Sequence, residues 1–419
     1  MIALTLALAA AAAYLRAHRQ ARLVLLHPVE LLPDEFDQAP GKYDISRQKM
    51  EFPFKKNDRV AWIGSSSTYL GTWPATLEFL LRSRHPELNL TFSRHSTGDG
   101  TFATGLSRLP DWLERSRPTL VFLNYGANDG NLGKRNLEAF HKSLADCVQM
   151  SRDFGARTLL MTHQPGDPRY TGEVFNNRRA HYALDMLHFC GEHKFPLIDI
   201  FNPLQKMFDQ ARAENPDYTI NSDMIHLTDS AYVAWGFLLY DAFTVPDSES
   251  RLELNWGDGK VLAAKNCSAE ITAHDADVLT FERLDAVLPI LPPVPLPSSR
   301  PHRGYLTGLS QSFFPEEPKF ALDHGQDLPP RNGVPLESCS RYMLKIAGLP
   351  GGEYELICNN LPCGKMSAET LAAGVNLNSM LLDQNLPAPW NALALQLWDG
   401  VKLEQLNGRA LHFQLRRLR

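Results

Sequence analysis

Four short segments of this 419-residue chain carry the residue types that acyl transfer needs, and they fall in a fixed order. They are Gly64-Ser65-Ser66-Ser67-Thr68, Thr97-Gly98-Asp99, Gly126-Ala127-Asn128-Asp129 and Asp223-Met224-Ile225-His226. Cleaving an ester by a nucleophile takes a hydroxyl, a base for its proton, a carboxylate to orient the base, and donors for the oxyanion. Ser66, His226 and Asp223 can supply the first three. The N–H of Gly98 and the side-chain amide of Asn128 can supply the last, Gly98 because a residue without Cβ lets a ligand approach. Asp223 and His226, three residues apart in a turn, can present both side chains on one side, so that the carboxylate orients the imidazole. Each segment alone has a plainer reading, as a polar loop, a helix cap or a Gly-rich turn. Their order and shared placement favour chemistry.

That placement comes from the elements between them. Arg59 to Gly64, Leu88 to Arg94, Leu120 to Tyr125, Thr158 to His163 and Pro196 to Ile200 read as strands, short apolar runs ending in turn residues. Helix-like segments cover Pro74–Ser83, Phe102–Ser116, Asn136–Phe154, Asn176–His193 and Asp229–Phe243, with Asp229 the expected N-cap of the last. Strands alternating with helices of this length imply a parallel sheet covered on both faces. The candidate segments then follow strand ends, where ligands bind in open α/β sheets.

In this order the segments resemble the SGNH (GDSL) hydrolase superfamily, named for its Ser, Gly, Asn and His, here Ser66, Gly98, Asn128 and His226. The stretch from Ser96-Thr97-Gly98-Asp99 through Arg108-Leu109-Pro110 to Gly130 is similar to bacterial thioesterase/lysophospholipase members. The resemblance covers about residues 58–245. It implies a flavodoxin-like three-layer α/β/α fold and a serine hydrolase of carboxylic esters with Ser66, Asp223 and His226 as catalytic triad. Ser66, Gly98 and Asn128 would form the oxyanion hole, with no cofactor and no metal. The first block departs from the family, because Ser65 stands where an Asp is usual. Ser65 and Ser67 therefore stay open as nucleophiles, and His95 either lines the site or packs. The Ser…Asp…His order also fits α/β-hydrolases, but no Gly-x-Ser-x-Gly elbow surrounds Ser66. His163-Gln164-Pro165 is expected to wall the substrate pocket, Asp129 to cap its turn, and Trp62, Trp73 and Trp112 to be core.

Beyond about Arg251 the texture changes to short alternating stretches such as Val278–Phe281 and Tyr342–Ile346, with a turn at Leu349-Pro350-Gly351-Gly352. Three parts follow: residues 1–25 as a signal peptide or N-terminal anchor, 45–248 as the hydrolase domain, and 251–419 as a smaller β-rich domain with a Pro-rich connection at 289–301. Residues Ile2 to Leu15 are too short an apolar run to span a bilayer comfortably, and small residues near Ala9 to Ala13 suit cleavage. No Lys or Arg precedes that run, so a short buried helix is the alternative. Export, to the periplasm or outside the cell, or anchoring is expected, with a cytoplasmic location left open and no membrane span beyond that segment.

A net charge of −5 gives no electrostatic reason for nucleic-acid binding, and 44% hydrophobic with 21% charged residues describes a globular protein. The six cysteines show no metal spacing; Cys147 and Cys190 read as buried thiols, and one or two disulfides are open among the four later ones if the chain is exported. The β-rich addition points to a carbohydrate O-acetyl esterase, with a small-molecule or polysaccharide ester as substrate. A lysophospholipase/thioesterase and a degenerate binding module are the alternatives, and the oligomeric state stays open.

Overall fold

The computed structural model describes residues 34–40, 49–223, 225–247, 249–289, 339–384, 386, 388–398 and 401–418. The N-terminal apolar run, Met224 and residues 290–301 of the Pro-rich connection lie outside them.

A two-residue strand β1 (Met50–Glu51) leads into the main sheet. Apolar runs then form β2 (Arg59–Gly64), β3 (Thr91–Ser96), β4 (Leu120–Asn124), β5 (Arg157–Met161) and β6 (Leu197–Ile198). These five are parallel, in the order β3-β2-β4-β5-β6, while β7 (Phe243–Thr244) returns to pair with β1. The chain therefore reverses direction of travel across the sheet between β3 and β4, on either side of β2, which is the switch point of a doubly wound fold. The helices are α1 (Ser66–Leu70), α2 (Thr72–Arg84), α3 (Phe102–Ser116), α4 (Ala127–Gly130), α5 (Leu137–Asp153), α6 (Pro168–Thr171), α7 (Glu173–His193), α8 (Phe201–Glu214) and α9 (Asp229–Asp241).

Because strand side chains alternate between faces, each strand feeds two cores. Val60, Trp62 and Phe122 pack with α2, α8 and α9. Ala61, Ile63, Val121 and Leu123 pack with α3, α5 and α7. This is the three-layer α/β/α arrangement. No helix of the described residues is long and apolar enough to cross a membrane.

Some elements differ from the sequence reading. Strand β3 starts at Thr91, because Pro86–Leu88 close a 3-10 turn and Leu88 and Leu90 pack into the first core. Helix α8 was not foreseen; Pro203 sits in its first turn, where the missing N–H has no intrahelical acceptor anyway. The N-cap of α9 is Thr228, whose hydroxyl accepts from the Ala231 N–H at 3.3 Å, so Asp229 becomes the first helical residue.

The C-terminal region contributes β8 (Ser250–Asn255), β9 (Lys260–Lys265), β10 (Cys267–His274), β11 (Val278–Asp285), β12 (Tyr342–Ala347), β13 (Glu353–Cys358), β14 (Leu361–Ser367), β15 (Val375–Asn376) and β16 (Leu411–Arg417). They form two sheets, β15-β12-β8-β9 and β10-β11-β16-β13-β14, mostly antiparallel with β8 and β12 parallel. Inward residues of both sheets, among them Leu252, Leu344, Phe281, Leu356 and Phe413, share one core. Helices Ala368–Ala373, Leu377–Asp383 and Ala392–Trp398 interrupt this β-rich region and were not foreseen.

The sandwich docks on α2. Leu288, Leu393 and Leu397 pack against Phe79, and the buried Arg84 donates to the Leu288 carbonyl and to Ser340 Oγ. Arg84 ends a helix that runs back antiparallel to β2, so this contact lies away from the carboxyl ends of the strands. The disulfides left open for the second half do not form: all six cysteines are free thiols, five of them buried. In a core they act as small hydrophobes.

Candidate active site

The chain leaves β2 through a tight passage. A Cβ on Gly64 would lie 2.2 Å from Thr68 Oγ1 and 2.6 Å from the Asn124 carbonyl oxygen, so only glycine fits. Gly64→Ala is expected to destabilise the fold by about 2 kcal/mol through overpacking, a loss that thermal unfolding would register. Ser65, extended at φ −88° and ψ −157°, is the N-cap of α1, and its carbonyl accepts from the N–H groups of Thr68 and Tyr69. Ser66 is the first residue of that helix, so its N–H has no intrahelical acceptor. It is 9% exposed, against 5% for Ser65 and 1% for Ser67. The Ser67 hydroxyl also accepts from Tyr232 Oη at 3.3 Å, on α9. Of the three serines Ser66 is the most accessible.

The second and third segments are bolted to the first and to each other. The Thr97 N–H donates to the Gly64 carbonyl at 3.2 Å. Nothing lies within 4 Å of where a Gly98 Cβ would stand, so this side of the loop is open. Gly126 adopts φ +114°, and a Cβ there would come within 2.7 Å of His163 Nδ1. Asn128, half-buried in α4, donates from Nδ2 to the Gly100 carbonyl at 3.0 Å. An amide has two such hydrogens, so one remains for a ligand.

Asp129 caps this turn, and also joins two loops. Its carboxylate accepts from the Gly126 N–H at 3.1 Å and from the Phe102 N–H at 3.2 and 3.3 Å. Burial pushes its pKa up to about 7, against the pull of those backbone donors. Asp129→Ala would leave two buried N–H groups unpaired. It is expected to cost about 3 kcal/mol, measured by chemical unfolding.

The last segment is a closed loop before α9. The Ser222 N–H donates to the His226 carbonyl at 2.9 Å, and the Thr228 N–H to the Ile220 carbonyl at 2.7 Å. Asp223 Oδ1 accepts from the N–H groups of Ile225 at 2.7 Å and His226 at 2.6 Å, while Oδ2 accepts from His226 Nδ1 at 2.8 Å. Partial burial works against its ionisation, but the hydrogen bonds from His226 outweigh that and hold the carboxyl below its usual range. With Nδ1 so engaged, His226 Nε2 is the free ring nitrogen; it is buried and unpaired. An imidazole fixed in this tautomer can take a proton at Nε2.

Of two further histidines, His163 stands differently from its sequence reading and His95 takes the packing alternative. His163 does not wall an open pocket: it is 1% exposed, and its Nε2–H donates to the Arg179 carbonyl at 3.0 Å. His95 packs on Trp112 with ring centroids 5.8 Å apart. Burial, more than neighbouring charge, lowers the pKa of His163 to about 3 and those of His85 and His95 to about 4. For these groups the folded pKa lies below the unfolded value near 6.5, so the unfolded chain binds more protons between the two. Stability is therefore expected to be full above about pH 6.5 and to fall steeply as pH drops toward 4, which calorimetry across that window would show.

Residues 61–234, which contain Ser66, Gly98, Asn128, Asp223 and His226, match the model of the GDSL-like Lipase/Acylhydrolase family. This segment is a GDSL-like lipase/acylhydrolase domain. An arylesterase of Vibrio mimicus is 27% identical to the chain over 128 residues, which cover 29% of this chain and 62% of the relative. The chain thus spans under two thirds of that relative's length. Among solved structures, a gut microbial diltiazem-metabolizing enzyme aligns with a TM-score of 0.63 at 18% identity, covering 86% of this chain and 81% of that one. That coverage takes in the GDSL-like domain and much of the C-terminal region, and at this identity it speaks to fold. A catalytic mutant of an acetylxylan esterase from Geobacillus stearothermophilus aligns at a TM-score of 0.39 and 14% identity over 46% of this chain and 97% of that chain.

Sequence reasoning missed the Tyr232–Ser67 bond and the bridge that Asp129 makes to the Phe102 N–H. Both depend on contacts across 165 and 27 residues that no local pattern encodes.

Proposed function

We propose that this chain hydrolyses carboxylic esters, with Ser66 as nucleophile, His226 as general base and Asp223 as the carboxylate that orients it. The reading rests above all on the Asp223–His226 pair, which is bonded at 2.8 Å through Nδ1 and leaves Nε2 unpaired within a GDSL-like domain. Ser66 Oγ attacks the ester carbonyl as His226 Nε2 takes its proton, and Asp223 stabilises the resulting imidazolium. The N–H groups of Ser66 and Gly98 and the free Asn128 amide hydrogen face the tetrahedral oxyanion. Its collapse expels the alcohol, protonated by His226. Water, activated by the same ring, then cleaves the acyl-enzyme to the acid and restores Ser66. Asn128→Ala removes one oxyanion donor and is expected to lower kcat about a hundredfold or more at similar KM.

For the substrate we favour an acetylated carbohydrate, supported by the β-sandwich appended to the hydrolase domain, an argument from architecture. Hydrolysis of p-nitrophenyl acetate, butyrate and octanoate, followed by acetylated glycans, tests this. Preference for acetyl groups and release of acetate from glycans is the expected result. Preference for octanoate would turn the assignment to a lysophospholipase or thioesterase. Binding without turnover on every ester would turn it to a degenerate module, the reading that Ser65 in place of the family's Asp favours.

A further inference from the structure

Four arginines of the described residues are almost fully buried, and three of them have partners. Arg178 pairs with Asp37 at 2.6 Å, Arg283 with Asp285 at 3.0 Å, and Arg84 bonds to the Leu288 carbonyl and Ser340. Arg179 is the exception. It is 3% exposed, and its Nε and Nη1 have no hydrogen-bond partner. No carboxylate among the described residues forms an ion pair with it, and Asp129 on the neighbouring turn is engaged by backbone N–H groups. Burial lowers its pKa to about 10, so the guanidinium is still charged at neutral pH. A buried charge without a counter-charge is costly, and folds normally pair it or leave it out.

Its position suggests why this one persists. The Arg179 stem lies against Gly130, where a Cβ would stand 3.4 Å from its Cα and 3.5 Å from its Cγ. Its carbonyl holds His163, which in turn lies under Gly126. Gly126 and Gly130 flank Asn128, so Arg179 and His163 support the turn that carries the oxyanion donor. A carbonyl only accepts, so the His163 proton sits on Nε2. Burial, aided by the Arg179 charge, keeps that ring neutral. The neighbourhood of the turn thus holds a positive charge that forms no ion pair, the Asp129 carboxylate being engaged by backbone N–H groups.

We propose that Arg179 is kept without a counter-ion so that its field stabilises the oxyanion formed against Asn128 and Gly98. The inference rests on the proposed hydrolase reading. Arg179 is in this account a positioning residue, acting through the medium around the Asn128 turn and not by contact with substrate. Fixed charge of this kind is already oriented before the reaction begins.

The test uses the full chain with p-nitrophenyl acetate as probe, comparing Arg179→Met, Arg179→Gln and Arg179→Lys for kcat, KM and Tm. Both neutral variants are expected to lower kcat about tenfold or more while KM moves less than about twofold. Their Tm should be unchanged or higher, because an unpaired buried charge has been removed. Arg179→Lys, which keeps the charge, should retain kcat within about threefold. A purely structural arginine predicts the opposite pattern, a fall in Tm with kcat per folded molecule intact. That pattern, a Lys variant as slow as the Met variant, or failure of both neutral variants to fold would overturn the inference. Ser66→Ala run in parallel separates the two levels. Activity that survives Ser66→Ala defeats the hydrolase reading itself, whereas Ser66-dependent activity with full kcat in Arg179→Met defeats only the role of Arg179.

Discussion

Ser66→Ala is expected to lower kcat on p-nitrophenyl esters by about 10⁴-fold or more, leaving only what the oxyanion donors and binding contribute. The loss should come without a loss of fold. Ser66 opens α1, while the loop around it is fixed by Ser65, Thr68, Tyr69 and Thr97 backbone bonds and by the Gly64 passage, none of which uses the Ser66 hydroxyl. Tm should therefore stay within a degree or two of wild type, on the order expected for a neutral surface change. The neighbouring serines supply the control. Ser65→Ala leaves the backbone cap of α1 in place, and Ser67→Ala removes only the bond from Tyr232. Each should keep activity within about tenfold of wild type, which kcat/KM for the three variants would check.

Asp223→Asn should be nearly as damaging, at about 10³- to 10⁴-fold in kcat, and for a reason that is visible in the loop. Oδ1 of Asp223 accepts from two backbone N–H groups, at 2.7 and 2.6 Å, and Oδ2 faces His226 Nδ1. An asparagine has only one oxygen. If that oxygen stays with the two backbone donors, the amide NH₂ is turned toward Nδ1. Nδ1 must then be the acceptor and Nε2 the protonated nitrogen, so the ring has no lone pair for the serine proton. The substitution thus inverts the tautomer while leaving the loop bonded. KM and Tm should move little, and Asp223→Glu should not rescue, because the longer side chain displaces the two backbone bonds.

Much of this was legible in the sequence because local signals were strong. The run Val60-Ala61-Trp62-Ile63 ending in Gly64 has both faces buried, and β2 occupies Arg59–Gly64 as read. Helix α3 begins at Phe102 because Thr101 caps it through a reciprocal bond with Thr104, and it spans Phe102–Ser116 as read. The parallel sheet followed from the βα alternation, and the first three segments lie just past β2, β3 and β4 as read, whereas the Asp223–His226 loop follows helix α8. What was not legible depended on tertiary context. Leu88 and Leu90 look like strand residues, but their apolar surface is buried from a turn and loop. The one-turn helices Ser66–Leu70 and Ala127–Gly130 are too short for any period to appear, yet they carry two of the candidate donors. His163 sits at a strand end like a pocket residue. Its burial follows from the positive φ of Gly126 and from the Arg179 carbonyl, both set by distant chain. The unpaired Arg179 itself has no sequence signature, because only the fold shows what an arginine lacks.

The central proposal is that Ser66 is the nucleophile and His226 its base. It is tested most directly by treating the full chain with a fluorophosphonate and locating the adduct by peptide mass spectrometry. Such a reagent forms a covalent bond only with a serine whose proton a neighbouring base removes and whose oxyanion is held. The account predicts one adduct per chain, on Ser66, absent from Ser66→Ala and greatly slowed in Asp223→Asn. An adduct on Ser65 or Ser67, or an unlabelled Ser66 in an enzyme that turns over esters, would contradict it.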